Sequence, residues 1–218
     1  MTGPTTEPDP APSAPPEARA AFGPALPLAE QYAELLAREA TVRGLIGPRE
    51  VPRLWERHLL NCAAVAELIP DGVEVCDLGS GAGLPGLVLA LLRPDLNLTL
   101  VEPLLRRTTF LDLAVSTMEL TNVAVRRARA EDLKGEIVFD VVTSRAVAPL
   151  PRLLGWSMPL VRSGGQMLAM KGSSAADELA QAAREVRSSG GGEARVVQVG
   201  ASWLDVPVTV IAVRRVAA

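Results

Sequence analysis

The sequence predicts an α/β fold in which a doubly wound, mainly parallel sheet follows a small helical region and ends in an antiparallel hairpin. Short apolar runs alternate with helical patterns from Val73 onward, which is typical of a parallel sheet covered on both faces. A glycine-rich turn joins the first of these runs to a helix. Only residues 200–206 separate the last two runs, too few for a crossover helix, so those strands are expected to pair antiparallel.

The individual elements follow from the same patterns. Strands are predicted at 73–77, 98–102, 123–127, 138–143, 165–170, 195–199 and 207–214. Helices of the sheet region are predicted at 85–93, 104–118, 150–161 and 175–189. A doubly wound sheet that closes with a hairpin is the chain order of class I methyltransferases.

The chain divides into three parts by composition. Residues 1–23 are rich in Pro, Ala and Thr without periodicity and are predicted to be a disordered tail. Residues 24–70 form a helical region, with one helix from Leu28 and a second over 51–68. The buried side of the second helix is assigned to Leu54, Trp55, Leu59 and Val65. Residues 71–218 make up the sheet domain.

Composition excludes several classes of protein. The chain of 218 residues has no apolar run of the roughly 18 to 20 residues that span a bilayer, and no secretion signal at its start, so we expect a cytoplasmic protein without a membrane partner. Its two cysteines, Cys62 and Cys76, lack metal-ligand or redox spacing, which indicates reduced thiols and no metal site. A net charge of −3 argues against nucleic-acid binding by bulk electrostatics but leaves room for a local basic face.

The stretch Val73–Gly86, VEVCDLGSGAGLPG, is the centre of the predicted site. Glycines at 79, 81 and 83 permit a tight strand-to-helix turn and close approach of a ligand to the backbone. The spacing of Gly81, Gly83 and Gly86 fits a dinucleotide loop, and Asp77 followed by Gly79, Gly81 and Gly83 fits an S-adenosylmethionine loop. A purely structural turn is the third interpretation.

Three observations favour S-adenosylmethionine. The acidic residue, Asp77, precedes the loop, where it can hold the loop and the amino-acid part of the ligand. The sequence after the loop leaves no room for a separate catalytic domain. The only tyrosine, Tyr32, lies outside the α/β region, whereas a single-domain dehydrogenase usually needs a Tyr/Lys pair there.

Further candidate residues fall at the carboxyl ends of other strands, where open α/β sheets bind ligands. Glu102 follows the second strand and can accept hydrogen bonds from ribose hydroxyls. Ala130 and Glu131 follow the third strand, in a loop that lies beside adenine in methyltransferases. Arg145 and Lys171 follow the fourth and fifth strands. That all of these residues fall at strand ends is stronger evidence for a ligand site there than any one of them.

Five motifs give the chain a resemblance to a known family: RHLLNC at 57–62, DLGSGAGLPG at 77–86, RAE at 129–131, SRA at 144–146 and MKG at 170–172. On these motifs, over about residues 32–213, the chain resembles the glucose-inhibited division protein B family, bacterial methyltransferases of guanine N7 in small-subunit (16S) ribosomal RNA. The sequence departs from the family at Asn61-Cys62, where Asp-Ser is more common.

The resemblance implies roles for individual residues. Contacts to the cofactor are implied for Gly79, Leu84, Ala130, Glu131 and Arg145, and positions toward the RNA for Arg57, His58 and Lys171. It also implies a protein that works on the small ribosomal subunit, and we expect a monomer. The alternatives are a methyltransferase of a small molecule or protein, and a nucleotide-binding module without activity.

The reaction implied by this resemblance does not require a side chain that acts as an acid or a base. Guanine N7 carries an in-plane lone pair and needs no deprotonation, so methyl transfer depends on proximity and orientation. No residue is assigned as catalytic acid or base.

Overall fold

A computed structural model describes residues 9–216 of the chain. Its centre is a seven-stranded sheet with the order β3-β2-β1-β4-β5-β7-β6. The strands are β1 Glu74–Leu78, β2 Asn97–Val101, β3 Val123–Arg126, β4 Phe139–Arg145, β5 Val161–Lys171, β6 Gly191–Val199 and β7 Val208–Arg215. All seven predicted strands are therefore confirmed, with ends that differ by up to four residues.

Strand direction separates the sheet into two parts. The pairs β1–β2, β1–β4, β2–β3 and β4–β5 are parallel, whereas β7 is antiparallel to both β5 and β6. The predicted doubly wound sheet with a terminal hairpin is confirmed. The chain order reverses between β1 and β4, and this is where ligands bind in such sheets.

Helices cover the sheet and precede it. They are α1 Pro16–Phe22, α2 Leu26–Leu35, α3 Leu60–Ala64, α4 Gly86–Leu92, α5 Leu105–Thr117, α6 Leu150–Ser157, α7 Ala175–Gln181 and α8 Ala183–Ser188. In the described part of the chain, each helix is too short or too polar to cross a bilayer.

Two hydrophobic cores lie on opposite faces of the sheet because side chains alternate along each strand. Val75 of β1 and Leu168 of β5 belong to the first core, which α2, α4 and α5 complete. The next residues along those strands, Cys76 and Ala169, belong to the second core with α6. The helical region packs into the first core, and the four residues assigned to its buried side are all buried.

The prediction of a disordered tail over 1–23 is wrong for residues 9–23; residues 1–8 lie outside the described part. Ala18 and Phe22, both on α1, are buried, and the Phe22 ring meets the Trp55 ring edge-on at 6.0 Å. The Trp55 indole N–H donates to the Pro12 carbonyl at 2.8 Å. The Pro- and Ala-rich composition of this segment masks the pattern of a short amphipathic helix. The helix begins with Pro16, and proline is favourable at a first helical position.

Proline explains several differences between predicted and observed helices. The region predicted as one helix over 51–68 is 3₁₀ over Pro48–Arg53 and π over Leu54–Leu59 before it becomes α3. Pro52 lacks the N–H that a regular helix would use there. Pro159 likewise ends α6 early, in a 3₁₀ turn. Pro85 precedes α4 as its N-cap rather than opening it, and the Leu84–Pro85 peptide is cis.

Candidate active site

The glycine loop connects β1 to α4 at the carboxyl edge of the sheet. Its glycines 79, 81 and 83 have φ of +72°, +60° and +95°, conformations that other residues rarely adopt. The N–H groups of Gly79 and Ser80 both donate to the Val101 carbonyl of β2, at 2.9 and 3.2 Å. The loop is therefore fastened across the ends of β1 and β2.

Asp77 lies beneath the loop and is fully buried. Its Oδ2 accepts hydrogen bonds from the Ser80 hydroxyl at 2.6 Å and from the Gly86 N–H at 2.9 Å. Burial raises the pKa of Asp77 to about 6, against the lowering effect of these two donors. Its Oδ1 is buried without a partner in the described structure. Asp77 thus holds both ends of the loop from below.

The neighbours of Gly83 leave no room for a side chain at this position. A Cβ at this position would lie 2.3 Å from Leu87 Cδ1 and 2.8 Å from the Tyr32 hydroxyl oxygen. That hydroxyl, on α2, is fully buried and donates to the Ala82 carbonyl at 2.6 Å. The helical region therefore reaches directly into the glycine loop, a contact that sequence reasoning missed because α2 is 50 residues away along the chain.

Glu102 follows β2 and faces the loop from the next strand. Its carboxylate accepts the Gly81 N–H at 3.1 Å and the Leu104 N–H at 3.2 Å. The Arg107 guanidinium makes longer contacts to both oxygens, at 3.2 and 3.4 Å. These backbone bonds fix the carboxylate at the carboxyl end of β2.

These elements enclose a cavity of about 650 Å³, which we call the loop cavity. Of the residues predicted to bind the cofactor, those that line it are Gly79, Gly81, Leu84, Glu102, Ala130, Glu131 and Arg145. The 3₁₀ turn Ala130–Leu133 brings Ala130 and Glu131 to its wall. Among the described residues, Asp77 and Gly83 are not part of the lining and support the loop from behind.

Arg145 connects the loop cavity to the helical region. It ends β4, and its Nη1 donates to the Arg57 carbonyl at 3.2 Å. Burial raises the pKa of Asp77 and of Tyr32, and the positive charge of Arg145 opposes that rise. The following residue, Ala146, has φ of +55°, an unusual conformation for a residue with a side chain.

The residues predicted to face RNA take three different positions. The Arg57 side chain is 52% exposed and pairs with Glu50 at 3.2 Å. His58 is buried, with Nε2 at 2.9 Å from the other Glu50 oxygen. Burial, with the charge of Arg145, lowers the pKa of His58. Lys171 ends β5 and donates to the Ala148 carbonyl at 3.1 Å and to Glu178 at 2.8 Å.

Other lining residues escaped the sequence analysis because no local signal marks them. Ile46 comes from the helical region, Val147 lies two residues after Arg145, and Trp156 comes from α6. Each lies far along the chain from the glycine loop. Their positions depend on how the helices pack.

The fold agrees with solved methyltransferases. The precorrin-6y C5,15-methyltransferase from Geobacter metallireducens aligns over 78% of this chain and 90% of its own, with a TM-score of 0.52 and 19% identity. The tRNA (m1A58) methyltransferase from Aquifex aeolicus aligns over 73% and 69%, with a TM-score of 0.56 and 12% identity. The sheet order, the terminal hairpin and the loop at the carboxyl edge are those of the class I methyltransferase fold.

Sequence comparison identifies the family. Residues 25–205 match the GidB family, described as rRNA small subunit methyltransferase G, and the chain belongs to this family. A protein of Thermobifida fusca named ribosomal RNA small subunit methyltransferase G is 58% identical over 90% of this chain and 83% of its own length. A protein of the same name from Corynebacterium efficiens is 51% identical over 92% and 88%.

Proposed function

We propose that this protein transfers the methyl group of S-adenosylmethionine to N7 of a guanosine in the 16S RNA of the small ribosomal subunit. The observation that carries the proposal is the loop cavity. Its walls combine a glycine loop, a strand-end carboxylate and Arg145, in a chain of the rRNA small subunit methyltransferase G family.

The loop cavity fits S-adenosylmethionine in size and in chemistry. Its volume of about 650 Å³ lies within the range typical of small-molecule sites. A Cβ on Gly81 would meet only the Gly79 carbonyl oxygen, at 3.9 Å, so the loop leaves open space for a ligand. The Arg107 guanidinium donates to the Glu102 carboxylate over distances of 3.2 and 3.4 Å, and its side chain is 37% exposed. Ribose hydroxyls can therefore displace Arg107 and donate to the same oxygens.

Each lining residue then has a role toward the cofactor. Glu102 accepts the ribose hydroxyls, and Ala130 with Glu131 contacts the adenine. Arg145 keeps guanidinium donors for the carboxylate of the methionine part. Asp77 maintains the loop that all of these contacts need. The bound cofactor supplies an electrophilic methyl group on a sulfonium.

The acceptor needs orientation more than activation. Guanine N7 presents a lone pair in the plane of the base, so the protein has only to align it with the methyl group. Arg57 and Lys171 lie beside the loop cavity and contact the RNA. His58 acts indirectly, because it shares Glu50 with Arg57 and so helps to fix the Arg57 side chain.

We also place the protein in the cytoplasm as a monomer, because the proposed substrate is a ribosomal subunit and the chain supplies all the residues assigned above. Light scattering on the purified protein, with and without cofactor, tests the oligomeric state.

The direct test is a methyl-transfer assay with labelled S-adenosylmethionine. The substrates are 16S RNA and intact small subunits, both from cells that lack the protein. We expect label in one N7-methylguanosine of the 16S RNA. If neither substrate is labelled, or if a metabolite or protein is labelled instead, the proposed substrate is wrong.

Two variants separate cofactor binding from RNA binding. Arg145→Ala is expected to weaken S-adenosylmethionine binding, measured by calorimetry, because the methionine carboxylate loses its partner. Lys171→Ala is expected to lower the methylation rate while the affinity for the cofactor stays unchanged. The opposite pattern would contradict the assigned roles.

A further inference from the structure

A second cavity of about 1140 Å³ lies beside the loop cavity, and we call it the flanking groove. Arg53 and Arg57 from the helical region form one side of it, and Lys171 at the end of β5 forms another. The loop between β6 and β7 completes it with Trp203 and Val206. The groove thus combines elements from both ends of the chain.

The flanking groove and the loop cavity are neighbours. Arg145 lines the loop cavity and donates to the backbone of Arg57, which lines the groove. Arg145 and Lys171 also end adjacent parallel strands, β4 and β5. A polymer whose reacting group enters the loop cavity can therefore extend into the groove without leaving the protein surface.

The β6–β7 loop is held in place against the helical region. Glu67 accepts the Gly200 N–H with both oxygens at 3.2 Å and the Trp203 indole N–H at 3.1 Å. A Cβ on Gly200 would lie 2.5 Å from Leu204 Cδ1, so the loop is also closely packed. The edge of the Trp203 ring is thereby fixed, and its ring remains part of the groove wall.

The charges of the flanking groove do not suit a phosphate channel. Three cations among its lining residues, Arg53, Arg57 and Lys171, are matched by three carboxylates, Glu17, Glu56 and Asp205. Arg57 and Lys171 are already paired with Glu50 and Glu178.

The carboxylates and the apolar surface suit nucleobases instead. Within residues 9–216, the side chains of Glu56 and Asp205 make no hydrogen bond or ion pair and can accept the N–H groups of bases. Val206, 77% exposed, adds apolar surface next to Trp203.

We propose that the flanking groove binds the single-stranded RNA next to the target guanosine, with the Trp203 ring stacked on one of its bases. Single-stranded RNA is recognised mainly through bases stacked on aromatic rings and through their hydrogen-bonding edges. This inference rests on the proposed function, because it assigns the rest of the substrate whose guanosine enters the loop cavity. Within the groove, phosphate contacts are secondary to base contacts because its cations are matched by carboxylates.

The test compares Trp203→Ala with Trp203→Phe. Both variants lose the hydrogen bond to Glu67, but only Phe keeps a ring for stacking. We expect Trp203→Ala to lower kcat/KM for small subunits, and the affinity for deproteinised 16S RNA, by about 5- to 150-fold. Trp203→Phe is expected to stay within about threefold of the wild type, since it preserves the stacking surface. The dissociation constant for S-adenosylmethionine is expected to be unchanged in both.

Exposed valines give a matched control if Trp203→Ala does not fold. Val206→Ser changes a residue that lines the flanking groove. Val42→Ser changes a valine of similar exposure, 72%, that does not line the groove. Only Val206→Ser is expected to weaken RNA binding.

Three results would overturn the inference. The first is wild-type RNA affinity in both Trp203→Ala and Val206→Ser, and the second is an equal loss in the Ala and Phe variants. The third is a loss with intact subunits but not with deproteinised RNA, which would make a protein the occupant. If RNA affinity falls in Trp203→Ala but the wild-type protein transfers no methyl group to RNA, the proposed function is refuted instead.

Discussion

At the scale of single residues, Tyr32 and Asp77 show how buried polar groups support the glycine loop. The Tyr32 hydroxyl donates to the Ala82 carbonyl, and Asp77 accepts from Ser80 and Gly86. Each bond satisfies a loop group that would otherwise be buried without a partner, which costs about 1–3 kcal/mol. The loop conformation therefore depends on two residues that are not part of the lining of the loop cavity.

Tyr32→Phe tests this support. The change removes one hydroxyl and leaves the Ala82 carbonyl unsatisfied, so we expect the free energy of unfolding to fall by about 1–3 kcal/mol. We also expect weaker binding of S-adenosylmethionine, because Ala82 belongs to the loop that lines the cavity. Urea denaturation and calorimetry measure the two effects. Unchanged cofactor affinity would show that the loop keeps its conformation without Tyr32.

Asp77→Asn tests the consequence of burying a carboxyl group. The pKa of Asp77 is raised to about 6 from an ordinary 3.8, so the folded state holds this proton more tightly than the unfolded state. The contribution of this carboxyl group to the free energy of unfolding is therefore complete below about pH 4, and it is lost as the pH rises through about 6. The Asp77→Asn variant has no such proton. We expect the wild type to lose up to about 3 kcal/mol of stability relative to this variant between these limits.

Urea denaturation of wild type and Asp77→Asn over this pH range measures the difference. The comparison between the two proteins removes the contribution of all other titrating groups. A difference that does not change with pH would contradict a raised pKa for Asp77.

At the scale of elements, α4 packs against the sheet through its first residue, Gly86. A Cβ there would lie 2.3 Å from Leu100 Cδ2 and 2.7 Å from Asp77 Oδ2. The helix start therefore touches both the second strand and the carboxylate that holds the loop. This contact explains why a glycine is needed at 86, the position that the third glycine of a dinucleotide loop would take for close helix–strand packing.

Gly86→Ala and Gly155→Ala form a matched pair, since both glycines are helical. Gly155 lies on α6, and beyond its chain neighbours and its own helix backbone an added Cβ would meet no atom within 4 Å. We expect Gly86→Ala to destabilise by about 1–3 kcal/mol through overpacking. Gly155→Ala is expected to stabilise by about 0.5–1 kcal/mol, because alanine loses less backbone entropy in a helix. Thermal and urea unfolding measure both, and equal effects would refute the packing argument.

At the scale of the whole molecule, residues 9–24, which precede the family match, are part of the folded protein. The family match begins at residue 25, yet α1 buries Ala18 and Phe22 against the helical region. Pro15 and Glu17 also line the flanking groove. The segment thus contributes to both the core and the proposed RNA-binding surface.

Phe22→Ala measures the contribution of this segment to stability. Phe22 is 2% exposed, and we expect its truncation to cost about 3–5 kcal/mol in unfolding free energy. Val42→Ala, at an exposed position, is the control and should change stability by less than about 0.5 kcal/mol. Similar small effects from both variants would indicate that α1 adds little to the core.

The sequence by itself determined the sheet, its terminal hairpin and the glycine loop on which the loop cavity is built. Strand periodicity and the glycine loop are local signals, and parallel strands bring their carboxyl ends to one edge. This is why Glu102, Ala130, Glu131 and Arg145 could be assigned to one site before their positions were known.

Only the tertiary structure decided which residues support the site and what lies beside it. Tyr32 reaches Ala82, His58 is buried against Glu50, and Trp203 lies in the flanking groove with Arg57 and Lys171. None of these relations has a sequence period or a fixed spacing. They arise where helices from one end of the chain pack against the sheet edge and the β6–β7 loop. The Tyr32–Ala82 and Trp203–Glu67 contacts, for example, join residues 50 and 136 positions apart.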